Sequence, residues 1–261
     1  MNEIARGPGQ LRPSAIEASL EAAVERCELR HHPFDHIRME NILDPGTYGD
    51  LVAALPDRRF FHELSHRDAM RTDGSSTRLR MYLYPELLWR LPSRQRTTWI
   101  AVGRALCSPR LQRAFKRKFS GSLERRFGKP AERIGLYPVP ILLRDQPGYR
   151  IGIHSDASQK AITVQYYLPE DRSRDHLGTI FHEGESDELA GRTTRIPFLP
   201  ASGYAFPVSL QKSWHSAPTT TDADGERISM MVTYYVADDL KSRLNRLATR
   251  AGLLVGRHPR T

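Results

Sequence analysis

The sequence predicts a mainly β fold, an antiparallel sandwich or barrel with helices flanking it. After about residue 137, short runs rich in β-branched and aromatic residues are separated by turn residues, which is typical of many short strands. In one of these runs Ile162 and Val164 alternate with Thr163 and Gln165, as in a strand with one apolar and one polar face. Before and after this region, apolar residues recur at helical spacing.

The segment before the strands begins with a short tail. Residues 1–13 are rich in Gly, Pro and Arg and are predicted to be mobile. Apolar spacing predicts a first helix over 15–29, and a short strand is expected over 33–43. Asp44-Pro45 predicts the start of a second helix, because the aspartate can cap the first turn and proline fits there. Residues 57–77 are polar and are expected to form a loop.

A strongly basic run follows, over residues 90–129. It holds 12 Lys or Arg residues and one acidic residue, Glu124, interleaved with apolar residues at helical spacing. The pattern predicts basic amphipathic helices. The favoured interpretation is a solvated face on helices that support the sheet, and the alternative is a landing surface for an anionic partner or membrane.

The β region is predicted over residues 137–236 and the closing segment over 237–261. Leucines at helical spacing, preceded by two acids and mixed with Lys and Arg, predict a basic amphipathic helix over 238–254. Six strands are predicted in the β region, at 137–143, 149–153, 161–168, 178–182, 203–208 and 227–236.

Composition limits the class of protein. The chain has 261 residues, 39 Lys or Arg against 30 Asp or Glu for a net charge of +9, and 39% hydrophobic residues, as in a folded, basic, globular protein. Two unclustered cysteines and the absence of an apolar export signal predict a cytoplasmic location. Contact with a membrane would be peripheral, at an acidic surface. A nucleic-acid partner is not expected, because paired aromatic and basic platforms are lacking.

A metal site is predicted from three side chains. His154 and Asp156 are two residues apart at a strand end, so both can reach one metal, and His215 lies in a later part of the β region. Two histidines and one carboxylate leave about three coordination positions open, as in non-heme Fe(II) oxygenases. The triplet His66-Arg67-Asp68 has the same spacing, but it lies in the polar loop far from the strands.

An anion anchor is predicted downstream. Arg227 and Ser229 share one face of the last strand. A guanidinium offers a planar fork of donors to a carboxylate, and a hydroxyl two residues along can add another donor. Together they could hold a dicarboxylate.

The order H-x-D, a distant H and R-x-S resembles the Fe(II)/2-oxoglutarate-dependent dioxygenases, especially their prolyl-hydroxylase-like branch. The likeness spans about residues 137–236. Further matching features are Lys160, Tyr166-Tyr167-Leu168-Pro169, Gly178-Thr179-Ile180-Phe181 and Phe206-Pro207.

The resemblance implies a double-stranded β-helix, or jelly roll, with the N-terminal and C-terminal helices packed outside. It implies Fe(II) on His154, Asp156 and His215, with 2-oxoglutarate on Arg227 and Ser229 and O2 as the further cosubstrate. Tyr166 is expected as a third contact to 2-oxoglutarate. Residues 14–136 would support the core and select the substrate within the same domain.

The expected reaction is hydroxylation of an unactivated carbon, with release of succinate and CO2. Related halogenases lack the carboxylate ligand, so Asp156 favours hydroxylation, while desaturation and epoxidation use the same ligands. The substrate is expected to be a small molecule or an anionic glycan or lipid. The alternatives are a protein prolyl hydroxylase, and a non-catalytic β-helix domain that binds polyanions through its basic helices.

Overall fold

Two antiparallel β-sheets face each other in a computed structural model, which describes residues 11–64, 67–186 and 191–256. The described strands, numbered along the chain, are β1 (Ile37–Met39), β2 (His62–Glu63), β3 (Arg78–Tyr82), β4 (Leu136–Asp145), β5 (Ile151–His154), β6 (Lys160–Tyr167), β7 (Thr179–His182), β8 (Thr193–Ile196), β9 (Ser202–Pro207), β10 (Trp214–Ala217) and β11 (Arg227–Val236).

The large sheet has the strand order β1-β9-β6-β11-β4-β3-β2, and the small sheet has the order β5-β10-β7-β8. At the centre of the large sheet, β11 pairs with β4 from Arg227 opposite Asp145 to Val236 opposite Leu136. Rings from the two sheets meet in the interior, where Phe206 of the large sheet lies 5.0 Å from His215 of the small one. The predicted jelly roll is confirmed.

Helices cover the outer face of the large sheet. They are α1 (Pro13–Arg26), α2 (Pro45–Ala53), α3 (Ser93–Leu106), α4 (Pro109–Lys118) and α5 (Ser120–Phe127). The last helix, α6 (Leu240–Leu254), packs instead at one end of the sheet, against Tyr235 and Glu86. The predicted cap of α2 is present, since the Asp44 carboxylate accepts a hydrogen bond from the Thr47 amide at 3.0 Å. The large sheet and the helices share one apolar core. It contains outward-facing residues of β6 and β11 and inward-facing residues of α1, α3 and α4, namely Ile162, Val164, Met230, Val232, Tyr234, Val24, Trp99 and Phe115.

Cations of the basic run tie the helices to the rest of the fold. Arg126 donates to the carbonyl of Ser158 at 2.7 Å and of Lys160 at 2.8 Å, which fixes α5 to the start of β6. Lys118 donates to the Cys27 carbonyl at 2.7 Å, and Arg117 pairs with Glu25 at 2.5 Å. These contacts support the interpretation of the run as a face that supports the sheet.

Several strands were not predicted. The region 14–136, expected to be helical apart from the strand over 33–43, also supplies β2 and β3 to the large sheet. The strand expected over 33–43 is reduced to β1, and β8 and β10 are four-residue strands too short for a clear alternation. The tail prediction for 1–13 falls mostly outside the described residues, although Pro13 already begins α1. Within the described residues, no helix is long and apolar enough to span a membrane.

We expect Gly103→Ala to destabilise the fold by about 1–3 kcal/mol, because α3 touches the chain just beyond β3 at this glycine. A Cβ there would lie 1.9 Å from the Leu83 carbonyl oxygen. Gly49 in α2 is the matched control, since a Cβ there has no atom within 4 Å. Gly49→Ala should stabilise the protein by about 0.4–1 kcal/mol. Urea unfolding of both variants measures the difference, and equal free energies of unfolding would contradict the packing.

Candidate metal centre and anion pocket

Three potential metal ligands meet inside the jelly roll. His154 ends β5 and lies directly opposite His215 on the neighbouring strand β10, with ring centroids 4.2 Å apart. Asp156 follows His154 by two residues, and one ligand atom from each of the three side chains lies within 4.8 Å of the others. The structure therefore brings the three predicted residues together.

Both histidines are oriented by their own backbone. Nδ1 of His154 bonds the Gly152 carbonyl and Nδ1 of His215 bonds the Ser213 carbonyl, each at 3.0 Å. A carbonyl only accepts, so each Nδ1 carries the hydrogen and each Nε2 keeps its lone pair for a metal. Burial lowers the pKa of His215 to about 3, which keeps this imidazole neutral. Two imidazoles and a carboxylate are a donor set that suits Fe(II).

The carboxylate of Asp156 is held by two side chains of β6. Oδ1 accepts from the Lys160 ammonium at 2.5 Å, and Oδ2 accepts from the Thr163 hydroxyl at 2.6 Å. Burial would raise the pKa of Asp156, but the charge of Lys160, with these hydrogen bonds, holds it well below its usual range. The carboxylate is therefore ionised, and its oxygens have further lone pairs for a metal.

Arg227 lies at the start of β11 and faces the interior, with 1% of its surface exposed. Its guanidinium donates to the Asp145 carboxylate and to the Leu177 carbonyl, each at 2.8 Å. It also lies 5.3 Å from the centre of the Tyr167 ring. A guanidinium has five N–H donors, more than these contacts use, so Arg227 can also bind an anion.

A second arginine shares the carboxylate. Arg78 of β3 forms an ion pair with Asp145 at 2.9 Å, and its guanidinium lies 4.7 Å from the centre of the Tyr149 ring. Two guanidinium groups around one carboxylate leave one positive charge in a buried place, which favours an anionic ligand. We call Arg78, Asp145, Arg227, Tyr149 and Ser229 the anion pocket. Burial raises the pKa of Tyr149 to about 12, so its phenol is a neutral donor.

Hydrogen bonds connect the anion pocket to the strands around it. Tyr204 donates to Gln165 at 2.6 Å, and the Gln165 amide donates to Ser229 at 2.7 Å. Tyr167 donates to Thr179 at 2.8 Å. Ser229 thus receives one hydrogen bond and keeps its own hydroxyl hydrogen for a ligand.

The structure does not bring Tyr166 to this pocket, and the expectation that it contacts 2-oxoglutarate is corrected. Neighbouring residues of a strand point to opposite faces. Tyr167 faces the interior, whereas Tyr166 lies in the core between the large sheet and the helices. In the other triplet of the sequence, His66 lies outside the described residues, and the Asp68 carboxylate accepts a hydrogen bond from the Gly152 amide at 3.2 Å.

Arg78, Asp145 and Tyr149 were not predicted from the sequence. The alternation in Arg78-Leu79-Arg80-Met81 would have indicated a strand with a cationic face. Asp145 ends the run of β4, where a carboxylate more commonly marks a turn. Its partners come from two other strands, and this pairing follows only from the register of the sheet.

No protein-family model and no curated protein matches the sequence. Among solved structures, the chain is similar to a prolyl-4-hydroxylase of Pseudomonas putida, with a TM-score of 0.52, 13% identity and coverage of 85% of this chain and 100% of that one. A prolyl hydroxylase from Trichoplax adhaerens, in complex with a hypoxia inducible factor peptide, has a TM-score of 0.51 and 10% identity, covering 89% and 93%. The dioxygenase for auxin oxidation of rice has a TM-score of 0.50 and 16% identity, covering 93% and 92%. At these identities the likeness shows the fold.

We expect Asp145→Asn to destabilise the protein by about 3–5 kcal/mol, because it removes the negative charge between two buried guanidinium groups. The control is Asp57→Asn, which breaks an exposed pair with Arg59 at 3.6 Å. That change should alter stability by less than about 1 kcal/mol. Thermal and urea unfolding measure both, and a small effect of Asp145→Asn would mean that the carboxylate does not balance the arginines.

Proposed function

We propose that the protein is an Fe(II)- and 2-oxoglutarate-dependent oxygenase that acts in the cytoplasm. The observation that carries the proposal is the meeting of His154, Asp156 and His215 in the same interior as the anion pocket. The fold, shared with solved hydroxylases and dioxygenases, is consistent with it. A non-catalytic domain would not require a metal-ligand group, so the meeting of these three side chains disfavours that alternative.

Residues of both sheets would contribute to the iron site. Iron would be held by Nε2 of both histidines and by the Asp156 carboxylate, and when bound it supplies activation of O2 coupled to decarboxylation of 2-oxoglutarate. Lys160 and Thr163 keep Asp156 ionised and fixed in orientation. The Nδ1 bonds to backbone carbonyls hold both imidazoles in the tautomer that can coordinate.

The anion pocket would hold the far carboxylate of 2-oxoglutarate. Arg227 offers its guanidinium and Ser229 its hydroxyl hydrogen, while Asp145 and Gln165 orient them. The pocket is buried, so a bound carboxylate would be shielded from water and its hydrogen bonds strengthened. A single carboxylate neutralises the one excess charge of the two arginines.

The substrate we propose is a small molecule or an anionic glycan or lipid, hydroxylated at an unactivated carbon. Inner-face residues at the end of the large sheet away from the anion pocket are partly exposed, among them Tyr137 and Tyr235. The ammonium of Lys160 lies on the same face near Asp156, so an anionic group could be held close to the metal centre. A peptidyl-proline substrate is the second candidate, and succinate release with peptides against small-molecule pools distinguishes the two.

Anaerobic addition of Fe(II) and 2-oxoglutarate should give the weak visible charge-transfer band of an iron chelate. His215→Ala should abolish the band, because it removes one of two imidazole ligands. His176→Ala is the control, since His176 is an exposed histidine bonded to Asp224. It should leave the band unchanged. Absence of the band in the folded, unmodified chain would refute the proposed cofactors.

Arg227→Lys should raise the 2-oxoglutarate concentration needed for half of that band by roughly 10- to 100-fold. Lysine keeps the charge beside Asp145 but loses the planar fork of donors. Tyr166→Phe serves as the control and should leave the requirement unchanged, because Tyr166 lies on the other face of β6. An unchanged requirement in Arg227→Lys would reject the role of Arg227, whereas a raised one in Tyr166→Phe would restore that of Tyr166.

A further inference from the structure

The C-terminal helix α6 has its apolar side turned away from the protein. Four of its leucines are largely exposed, from 51% for Leu247 to 72% for Leu240, and Leu253 is the buried residue of the helix. With Ala251, the exposed leucines repeat at intervals of four and three residues and so lie along one side of the helix. We call this row the leucine stripe: Leu240, Leu244, Leu247, Ala251 and Leu254.

Arginines attach the opposite side of α6 to the body. The guanidinium of Arg246 stacks 3.8 Å from the centre of the Tyr235 ring at the end of β11. Arg250 forms an ion pair with Glu86, with a second contact at 2.8 Å, and lies 4.1 Å from the centre of the Tyr84 ring. The helix is therefore docked through cations, and the leucine stripe is left outside.

An exposed tryptophan follows the turn that holds α6 through Glu86. Glu86, which holds Arg250, belongs to the 3₁₀ turn Pro85–Leu87, and Trp89 follows two residues later with 64% of its surface exposed. The Arg90 guanidinium lies over its ring at 5.0 Å. Scattered exposed apolar residues are normal in proteins, but a row of them along one helix, with a further exposed tryptophan after the turn that holds the helix, indicates a surface that binds something.

The charges around the leucine stripe indicate what it binds. The exposed Lys241 borders the stripe on one side, and the exposed Arg243 borders it on the other. A second copy of the helix, in either direction, would bring these cations together, which opposes self-pairing. An anionic surface would instead pair with them.

We propose that the leucine stripe and Trp89 form a docking surface for an anionic phospholipid membrane. Leucines on one side with Lys and Arg at the borders are the pattern of a helix that lies in the membrane interface. The cations can reach lipid phosphates from the borders of the apolar row, and tryptophan favours the same interfacial depth. This inference is independent of the proposed oxygenase activity.

Vesicle sedimentation of the full chain tests the proposal. The chain should sediment with vesicles that mix phosphatidylcholine and phosphatidylglycerol, less so at high salt, and weakly with phosphatidylcholine alone. The double variant Leu244→Gln, Leu247→Gln should partition about tenfold or more weakly, because two apolar side chains no longer enter the lipid. Leu210→Gln is the matched control, since Leu210 is a leucine of 51% exposure outside α6, and it should bind as the unmodified chain does.

Circular dichroism establishes that the variants are folded, and the exposed positions make that the expected result. Failure to sediment with the phosphatidylglycerol vesicles would overturn the proposal. So would sedimentation that the double variant leaves unchanged, since another surface would then bind the lipid. Light scattering adds a third outcome: a dimer without vesicles that the double variant dissociates, with no vesicle binding, would identify a second copy as the partner.

Discussion

The strand register of the large sheet depends on the ion pairs that the Asp145 carboxylate forms with the guanidinium groups of Arg78 and Arg227. The three residues lie directly opposite one another on β3, β4 and β11. A slip of any of these strands by one residue would turn its charge into the apolar core under the helices, at a cost of several kcal/mol. The charges therefore fix the register and give the sheet one polar and one apolar face.

That register also determines which chemistry lies where. Along β6, Thr163, Gln165 and Tyr167 face the interior, where they contact Asp156, Ser229 and Thr179 in turn. The metal-ligand group is thus linked to one strand of the large sheet, while its histidines belong to the small sheet. The interior therefore contains both the metal-ligand group and the anion pocket, and the metal-ligand group contacts residues of both sheets.

The sequence predicted those features that are encoded within one strand. The alternation around Val164 predicts a strand, and the spacing of Arg227 and Ser229 predicts a shared face; both hold in the structure. Features that depend on the pairing of strands could not be predicted from the sequence. Two adjacent tyrosines do not reveal which one faces inward, so the predicted 2-oxoglutarate contact falls on Tyr166, whereas Tyr167 faces the pocket in the structure. Arg78 and Asp145 become partners only through the sheet, and β10 is too short for a pattern of its own.

The backbone bonds of the two histidines have a consequence for how such a site can diversify. Each imidazole takes its tautomer from a carbonyl two residues earlier in its own chain segment, with no neighbouring side chain involved in that bond. Main-chain atoms are the same whatever residue occupies the position. Side chains around the site can therefore be exchanged by mutation while the protonation pattern of the ligands is inherited unchanged. Selection for new substrates can act on the surroundings without having to rebuild the centre each time.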